Sequence, residues 1–151
     1  MPSIPVTPLA AAVLDRLELA AGLNVFAAGK VDAPVDGNAR AYPFAVLYPA
    51  PGSPAVPSLS GPTDSLDWRF QITCGGGDVT RALKAVDAAR AALTDWEPGV
   101  IPTAGASVGR VQELDDYQPG PPAQEGAEPR TRWSTALLFT APVTILEGGQ
   151  T

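Results

Sequence analysis

Few side chains in this 151-residue chain have the chemistry to run a reaction. It contains no histidine, which removes the commonest general base, the Ser-His-Asp arrangement and the commonest zinc ligand. Cys74 could act as a nucleophile only as a thiolate, and no histidine is there to activate it. It falls on the apolar parity of a strand, where a free cysteine behaves as a small hydrophobe. Gly75-Gly76-Gly77 leads from that strand toward a helix N-terminus, a place where phosphates bind. The lysine and Ser/Thr of a phosphate loop are missing, however, and Asp78 puts a negative charge at its mouth. The three residues read as a flexible reversal. Glu113, Asp115 and Asp116 could offer oxygens to a hard cation, but no EF-hand pattern surrounds them and a solvated acidic loop is the simpler reading. Trp68, Trp96 and Trp133 could line a ligand pocket, yet each sits on an apolar face and reads first as a core anchor. No enzyme activity, metal or cofactor is expected.

The elements that would position these groups centre on Asp64 to Trp96. Leu66, Trp68, Phe70, Ile72 and Cys74 share one parity, and Ser65, Asp67, Arg69, Gln71 and Thr73 the other. Successive strand side chains point to opposite faces, so this strand has one buried and one wet face. Asp78 is a good N-cap for the following helix. Val79, Ala82, Leu83, Val86, Ala89, Leu93 and Trp96 recur at helical spacing, and the helix should end near Trp96, before Pro98-Gly99.

An earlier helix starts at Thr7-Pro8, with a stripe of Leu9, Val13, Leu17 and Ala20 beside Leu14, and stops at Gly22. Asp15, Arg16 and Glu18 should face water. Asn24 to Ala27 reads as a short strand, and Asp36-Gly37-Asn38 as a turn. Tyr42 to Tyr48 is a strand with two apolar faces: either both are covered, or one meets another subunit. Pro49 to Pro62 carries five prolines and should be extended and stiff. Val100 to Gly105 is a connector, Ser107 to Leu114 a strand of poor alternation, and Asp115 to Arg130 a second long loop. Thr131 to Ala141 is the last long strand, with Trp133, Thr135, Leu137, Phe139 and Ala141 on its heavier face; Pro142 interrupts it, and Val143 to Leu146 can continue as an edge. The order α-β-β-β-α-β-β, with hairpin-joined strands, defines an α+β class: a mainly antiparallel sheet with two helices on one face. Residues 7–146 form one domain between short tails, 1–6 and 147–151.

Composition narrows the partners. The net charge is −6 and the isoelectric point about 4.4, with no basic cluster of the kind that nucleic acid or an anionic membrane would need. One cysteine excludes an internal disulfide. No apolar run reaches the roughly 18–20 residues that span a bilayer, and Met1 to Pro8 lacks the basic region of a signal peptide. The expected place of synthesis is a cytoplasm. Two long Pro/Gly-rich loops on a small sheet then stand out as protein-contacting arms.

Taken together, the helix, Tyr42-Pro43-Phe44-Ala45-Val46-Leu47-Tyr48-Pro49, the proline-rich loop, Trp68-Arg69-Phe70-Gln71-Ile72-Thr73-Cys74, the long helix and Arg132-Trp133-Ser134-Thr135-Ala136-Leu137-Leu138-Phe139 resemble the tail terminator (minor tail) proteins of long-tailed siphovirus phages of actinobacteria. The resemblance runs from about Thr7 to Leu146. It implies a virion protein at the head–tail junction that forms a homo-oligomeric ring, commonly a hexamer, on the last ring of the tail tube. It implies the major tail tube protein and the head-completion proteins as partners, with DNA passing through the lumen without specific binding. For subunit contact the sequence offers Tyr42, Phe44, Leu47 and Tyr48 with Pro51, Pro54, Pro57 and Leu59. For the tube or connector it offers Asp115, Asp116, Tyr117, Arg130 and Arg132. A head–tail stopper or tail-completion protein, and a small ligand-binding domain or enzyme, are the competing classes.

Overall fold

The structure is a computed structural model and describes residues 6–21, 23–27, 33–49, 53–54, 65–125 and 132–146. Helix α1 runs Val6–Arg16 and passes into a π-helical turn, Leu17–Ala21. Strands β1 (Asn24–Ala27), β2 (Phe44–Pro49), β3 (Ser53–Pro54) and β4 (Ser65–Gly76) follow, then helix α2 (Val79–Leu93). After it come β5 (Gly99–Ile101), a 3-10 turn (Pro102–Ala104), β6 (Ala106–Val108), β7 (Gln112–Glu113), β8 (Ala123–Glu125) and β9 (Arg132–Ile145). The nine strands among the described residues join one sheet, whose main path is β1-β2-β4-β9-β6-β5. Two helices and a mainly antiparallel sheet make this an α+β fold.

The centre is the antiparallel pair β4–β9, in register from Ser65↔Thr144 to Gly76↔Trp133. That register sets Trp68, Phe70, Ile72 and Cys74 beside Ala141, Phe139, Leu137 and Thr135 on one face. All but Thr135 are buried. Phe70 and Phe139 stack with centroids 5.7 Å apart and Trp68 tilts against Phe70 at 4.6 Å; such aromatic pairs contribute about 0.5–1.5 kcal/mol beyond the area they bury. Trp68 is the core anchor expected, whereas Trp96 and Trp133 are only half-buried.

Both helices close this face. Leu9, Val13 and Leu17 come from α1 and its π turn; Ala82, Ala85, Val86, Ala89, Ala92 and Leu93 come from α2. Alanines dominate the α2 contact, so the helix backbone lies close to the sheet. A narrow contact follows, and it leaves Val79 and Leu83 exposed, against the wider stripe expected. The Asp78 cap is as read: its carboxylate accepts from the Arg81 amide at 2.8 Å. The helix stops at Leu93, earlier than Trp96. Asp95 takes a left-handed φ of 62°, and its amide donates to Val111 O at 2.9 Å, turning the chain onto the sheet. Arg16 does not face water. Its Nε donates to Ala92 O at 2.8 Å, one of the carbonyls a helix end leaves unpaired, and its guanidinium lies 5.4 Å over Trp96.

Strand β2 answers the question its two apolar faces raised. Ala45 and Leu47 join the helix-side core, while Phe44 and Val46 form a second cluster with Ala33 and Ala41. The chain thus covers both faces itself, using residues 33–46. β1 pairs with β2 in parallel, from Asn24↔Phe44 to Ala27↔Leu47, so not every neighbour is hairpin-joined.

The segment read as one strand, Ser107 to Leu114, is two. Gly109 and Arg110 break it, and Gly109 N donates to Pro142 O at 2.8 Å. A strand residue's donor and acceptor point the same way. The donor that Pro142 lacks therefore faces the break between β6 and β7, and β9 runs through the proline uninterrupted. Val143 and Thr144 are consequently no edge, with β4 on one side and β6 on the other, while Ile145 pairs with β6. The two long loops also hold strands: Ser53 and Pro54 pair with Asp67 and Leu66, and Ala123 to Glu125 pair with Ser134 to Arg132. Helix α1 already includes Val6 and Thr7. The tails 1–5 and 147–151, and the Gly22 stop, lie outside the described residues.

Gly75 and Gly76 finish β4, so they are strand and not a loose reversal. The reason is close approach. A Cβ on Gly75 would lie 2.6 Å from Cζ of Phe44, and one on Gly77 2.7 Å from the Ala41 amide nitrogen. We expect Gly75→Ala to cost roughly 1–3 kcal/mol by overpacking, read from denaturant unfolding, and to cost less in a Phe44→Leu background. An equal cost in both backgrounds would show that the ring is not what excludes the side chain.

Candidate interaction surfaces

No described residues assemble an active centre. Cys74 is fully buried, and burial pushes its thiol up to about 12, far from the thiolate that reactivity needs. At the N-terminus of α2 the place an anion would take is filled by the Asp78 carboxylate. Glu113 gives both carboxylate oxygens to Arg90, each at 2.9 Å, while Asp115 and Asp116 are exposed in the turn beyond it. Among the described residues no group of three or more His, Cys, Asp or Glu side chains is arranged to hold a metal ion.

The polar device that is built with care is a clasp at Arg81. Asp36 Oδ1 accepts from the amides of Asn38 at 2.8 Å and Arg40 at 3.1 Å, forming the expected turn. Asp36 Oδ2 accepts from Arg81 Nη2 at 2.7 Å, and Arg81 Nη1 donates to the carbonyls of Arg40 and Ala41, both at 3.1 Å. Gly77 N donates to Ala41 O at 2.8 Å. Together these bonds fasten residues 36–41 to the start of α2, over Phe44 and Val46. They also hold Ala39 at a φ of 61°, a left-handed conformation that costs a non-glycine residue roughly 1–2 kcal/mol. The amide of Arg40 and the Arg81 guanidinium hold the Asp36 carboxyl below its ordinary value. Asp36 in turn holds the Arg81 guanidinium above its own.

Of the residues offered for subunit contact, Phe44 and Leu47 are buried inside the chain, on opposite faces of β2. They are not available as an outer surface, because residues 33–41 cover one and the helices the other. Tyr42, two residues ahead of β2, and Tyr48, near its end, remain 44% and 42% exposed. Tyr42 lies against the Arg81 guanidinium, 5.2 Å from ring centroid to Cζ. Pro54 pairs with Leu66; Pro51, Pro57 and Leu59 lie outside the described residues, as does Arg130. Tyr117 is half-buried, and its hydroxyl donates to Ala136 O at 3.2 Å, tying the second loop to β9. Arg132 lies across the sheet with Cζ 5.7 Å from the Phe44 ring. The side chain missing at Gly75, which sits between Phe44 and Ser134 in register, leaves that path open.

Sequence reasoning missed one surface. Leu83, Val86 and Arg90 of α2 face Gln118 to Pro122 across a cavity of about 310 Å³ floored by Thr135 and Leu137. Thr135 Oγ1 donates to Gly120 O at 2.7 Å and pins the proline wall. The density of proline in 119–122 was the available signal, but nothing in the sequence placed it against α2.

No protein-family model matches the sequence, and no curated protein matches it. Among solved structures, the fold is similar to a chain from one described as "Virion of native gene transfer agent (GTA) particle", with 18% identity and a TM-score of 0.52, over 90% of this chain and 94% of that one. The likeness establishes a shared fold across nearly the whole of both chains.

Two outcomes follow from this geometry. Cys74 should resist alkylation in the native protein at pH 8 and react once the chain is unfolded; rapid native labelling would contradict its burial. Asp36 has a depressed native pKa, so its contribution to stability is present above the unfolded value of 3.8 and is lost as pH falls through the native one. Asp36→Asn should flatten the acid limb of a melting-temperature profile below about pH 4; an unchanged limb would mean that the clasp is not coupled to folding.

Proposed function

We propose that this chain is a structural virion protein, a tail terminator that forms a ring on the end of a phage tail tube, stops its polymerisation and joins it to head-completion proteins. The observation that carries the reading is the fold likeness, over 90% of the chain, to a component of a gene transfer agent virion. The element order and strand phrases that resemble tail terminators support it independently. So does the use of the chain's polar chemistry. Arg16, Asp36, Asp78, Arg81, Arg90 and Glu113 are engaged in holding elements together. An acidic chain of net charge −6 suits a lumen that DNA must slide through, because negative walls do not retain it.

In this reading Tyr42, Tyr48 and the proline segment after Pro49 contact a neighbouring subunit. The exposed turn at Asp115 and Asp116 contacts the tube or the connector. The test is to add labelled protein to tail tubes assembled without it, and separately to DNA-filled capsids. We expect label at one tip of each tube and arrest of further growth. Label on capsids alone would favour a head–tail stopper, and label on neither would overturn the virion-junction reading. Deleting Ser53 to Ser60 should abolish assembly at the tube tip; full assembly without it would remove that segment from the contact.

A further inference from the structure

The most exposed large apolar side chain among the described residues is Leu19, at 86%. It stands in the π-helical turn Leu17–Ala21, an irregularity that recurs at functional sites. Its neighbour Leu17 is fully buried, so the turn has one residue committed to the core and another presented outward. On the opposite flank of α2 lies the cavity bounded by Leu83 and the Pro119–Pro122 wall. Its volume of about 310 Å³ is far larger than the roughly 30 Å³ that one water occupies in the liquid. Leu83 is 46% exposed at the rim. The wall is proline-rich and pinned through Thr135, hence formed before anything binds.

The π turn packs on α2 and β1, whereas the cavity wall is bonded to β9. The leucine and the cavity therefore lie on different flanks of the same chain. Each carries one exposed charge of opposite sign beside its leucine, Glu18 at the turn and Lys84 on α2. Asp15 and Glu18 flank Leu19 and are exposed, while the one basic residue there, Arg16, turns inward to Ala92 O. On α2, Arg81 and Arg90 are already engaged by Asp36 and Glu113, whereas Lys84, exposed and next in sequence to Leu83, takes part in none of the ion pairs among the described residues.

We infer that Leu19 of one copy seats in the Leu83–proline cavity of the next copy of this chain, with Glu18 meeting Lys84. This rests on the ring reading above and gives it a specific contact. A knob and a socket at different places on one molecule make a head-to-tail interface, which closes into a ring when the rotation permits. The Glu18–Lys84 pair fixes the register in which copies that each carry net −6 meet. The socket uses the side of the second loop next to α2 and leaves Asp115 and Asp116 free for another partner.

The test is sedimentation velocity over a concentration series of wild type, Leu19→Asp, Leu83→Asp and an equimolar mixture of the two variants. Both substituted positions are exposed, so far-ultraviolet circular dichroism should be unchanged. We expect wild type to assemble, each variant to remain at the 15.5 kDa monomer mass, and the mixture to stop at dimers. The mixture retains one intact knob and one intact socket. If either variant fails to fold, Glu18→Lys and Lys84→Glu replace them, each expected to weaken assembly and the pair together to restore it. Variants that assemble as wild type does would overturn the contact while leaving the ring reading standing. A wild type that stays monomeric throughout would overturn the contact as a self-association surface, and the ring reading would then be decided on tail tubes.

Discussion

The pairing of β4 with β9 is the constraint from which the rest of the molecule follows. Twelve residues of β4 run in unbroken antiparallel register with β9. Because side chains alternate with a period of two, that register alone decides which residues face the helices. A slip of one position would expose Trp68, Phe70 and Ile72 and bury Asp67, Arg69 and Gln71. Burying one such apolar side chain is worth about 1.5–3 kcal/mol, so the native register wins by a wide margin. Each flank of the pair then recruits the shorter strands. β2 and β3 lie along β4, and β6, β7 and β8 lie along β9.

A second constraint shapes the surface. β2 is apolar on both sides, and the chain sets its described helices against one of them. It covers the remaining side with residues 33–41, locked down by the Asp36–Arg81 bond of 2.7 Å. Glycines at 75 and 77 let that cover lie close. With its two-faced strand satisfied internally, the protein presents among its described residues a set of exposed large apolar groups that includes Leu19, Tyr42, Tyr48 and Leu83. These are the points from which a structural protein would grip its neighbours, and they are carried on both flanks of α2 and at the ends of β2.

Much of the fold was legible in the chain. Parity from Leu66 to Cys74 and from Trp133 to Ala141 identified the central strands and the faces they bury. Asp78 announced the helix, and Asp36-Gly37-Asn38 the turn. What stayed hidden depended on contacts between distant residues. Nothing local tells β1 to run parallel to β2, or says that Ala33 and Ala41 will cover Phe44. Helical periodicity put Val79 and Leu83 with the core, but it cannot show that an alanine face seats the helix so closely that its contact narrows. Pro142 looked like a strand break because the gap opposite it, at Gly109, is set by a separate segment. The candidate surface was legible to a lesser degree. Tyr42 and Tyr48 remain on the outside, Phe44 and Leu47 do not, and the proline-walled cavity exists only once the second loop is placed against α2.

In the proposed reading, copies of this chain close into a ring. Light scattering on the size-exclusion peak, with negative-stain imaging of the same fraction, measures that most directly. Closed particles with rotational symmetry are expected; for a hexamer the mass would be about 93 kDa, six times the 15.5 kDa subunit. Open filaments of indefinite length would contradict it.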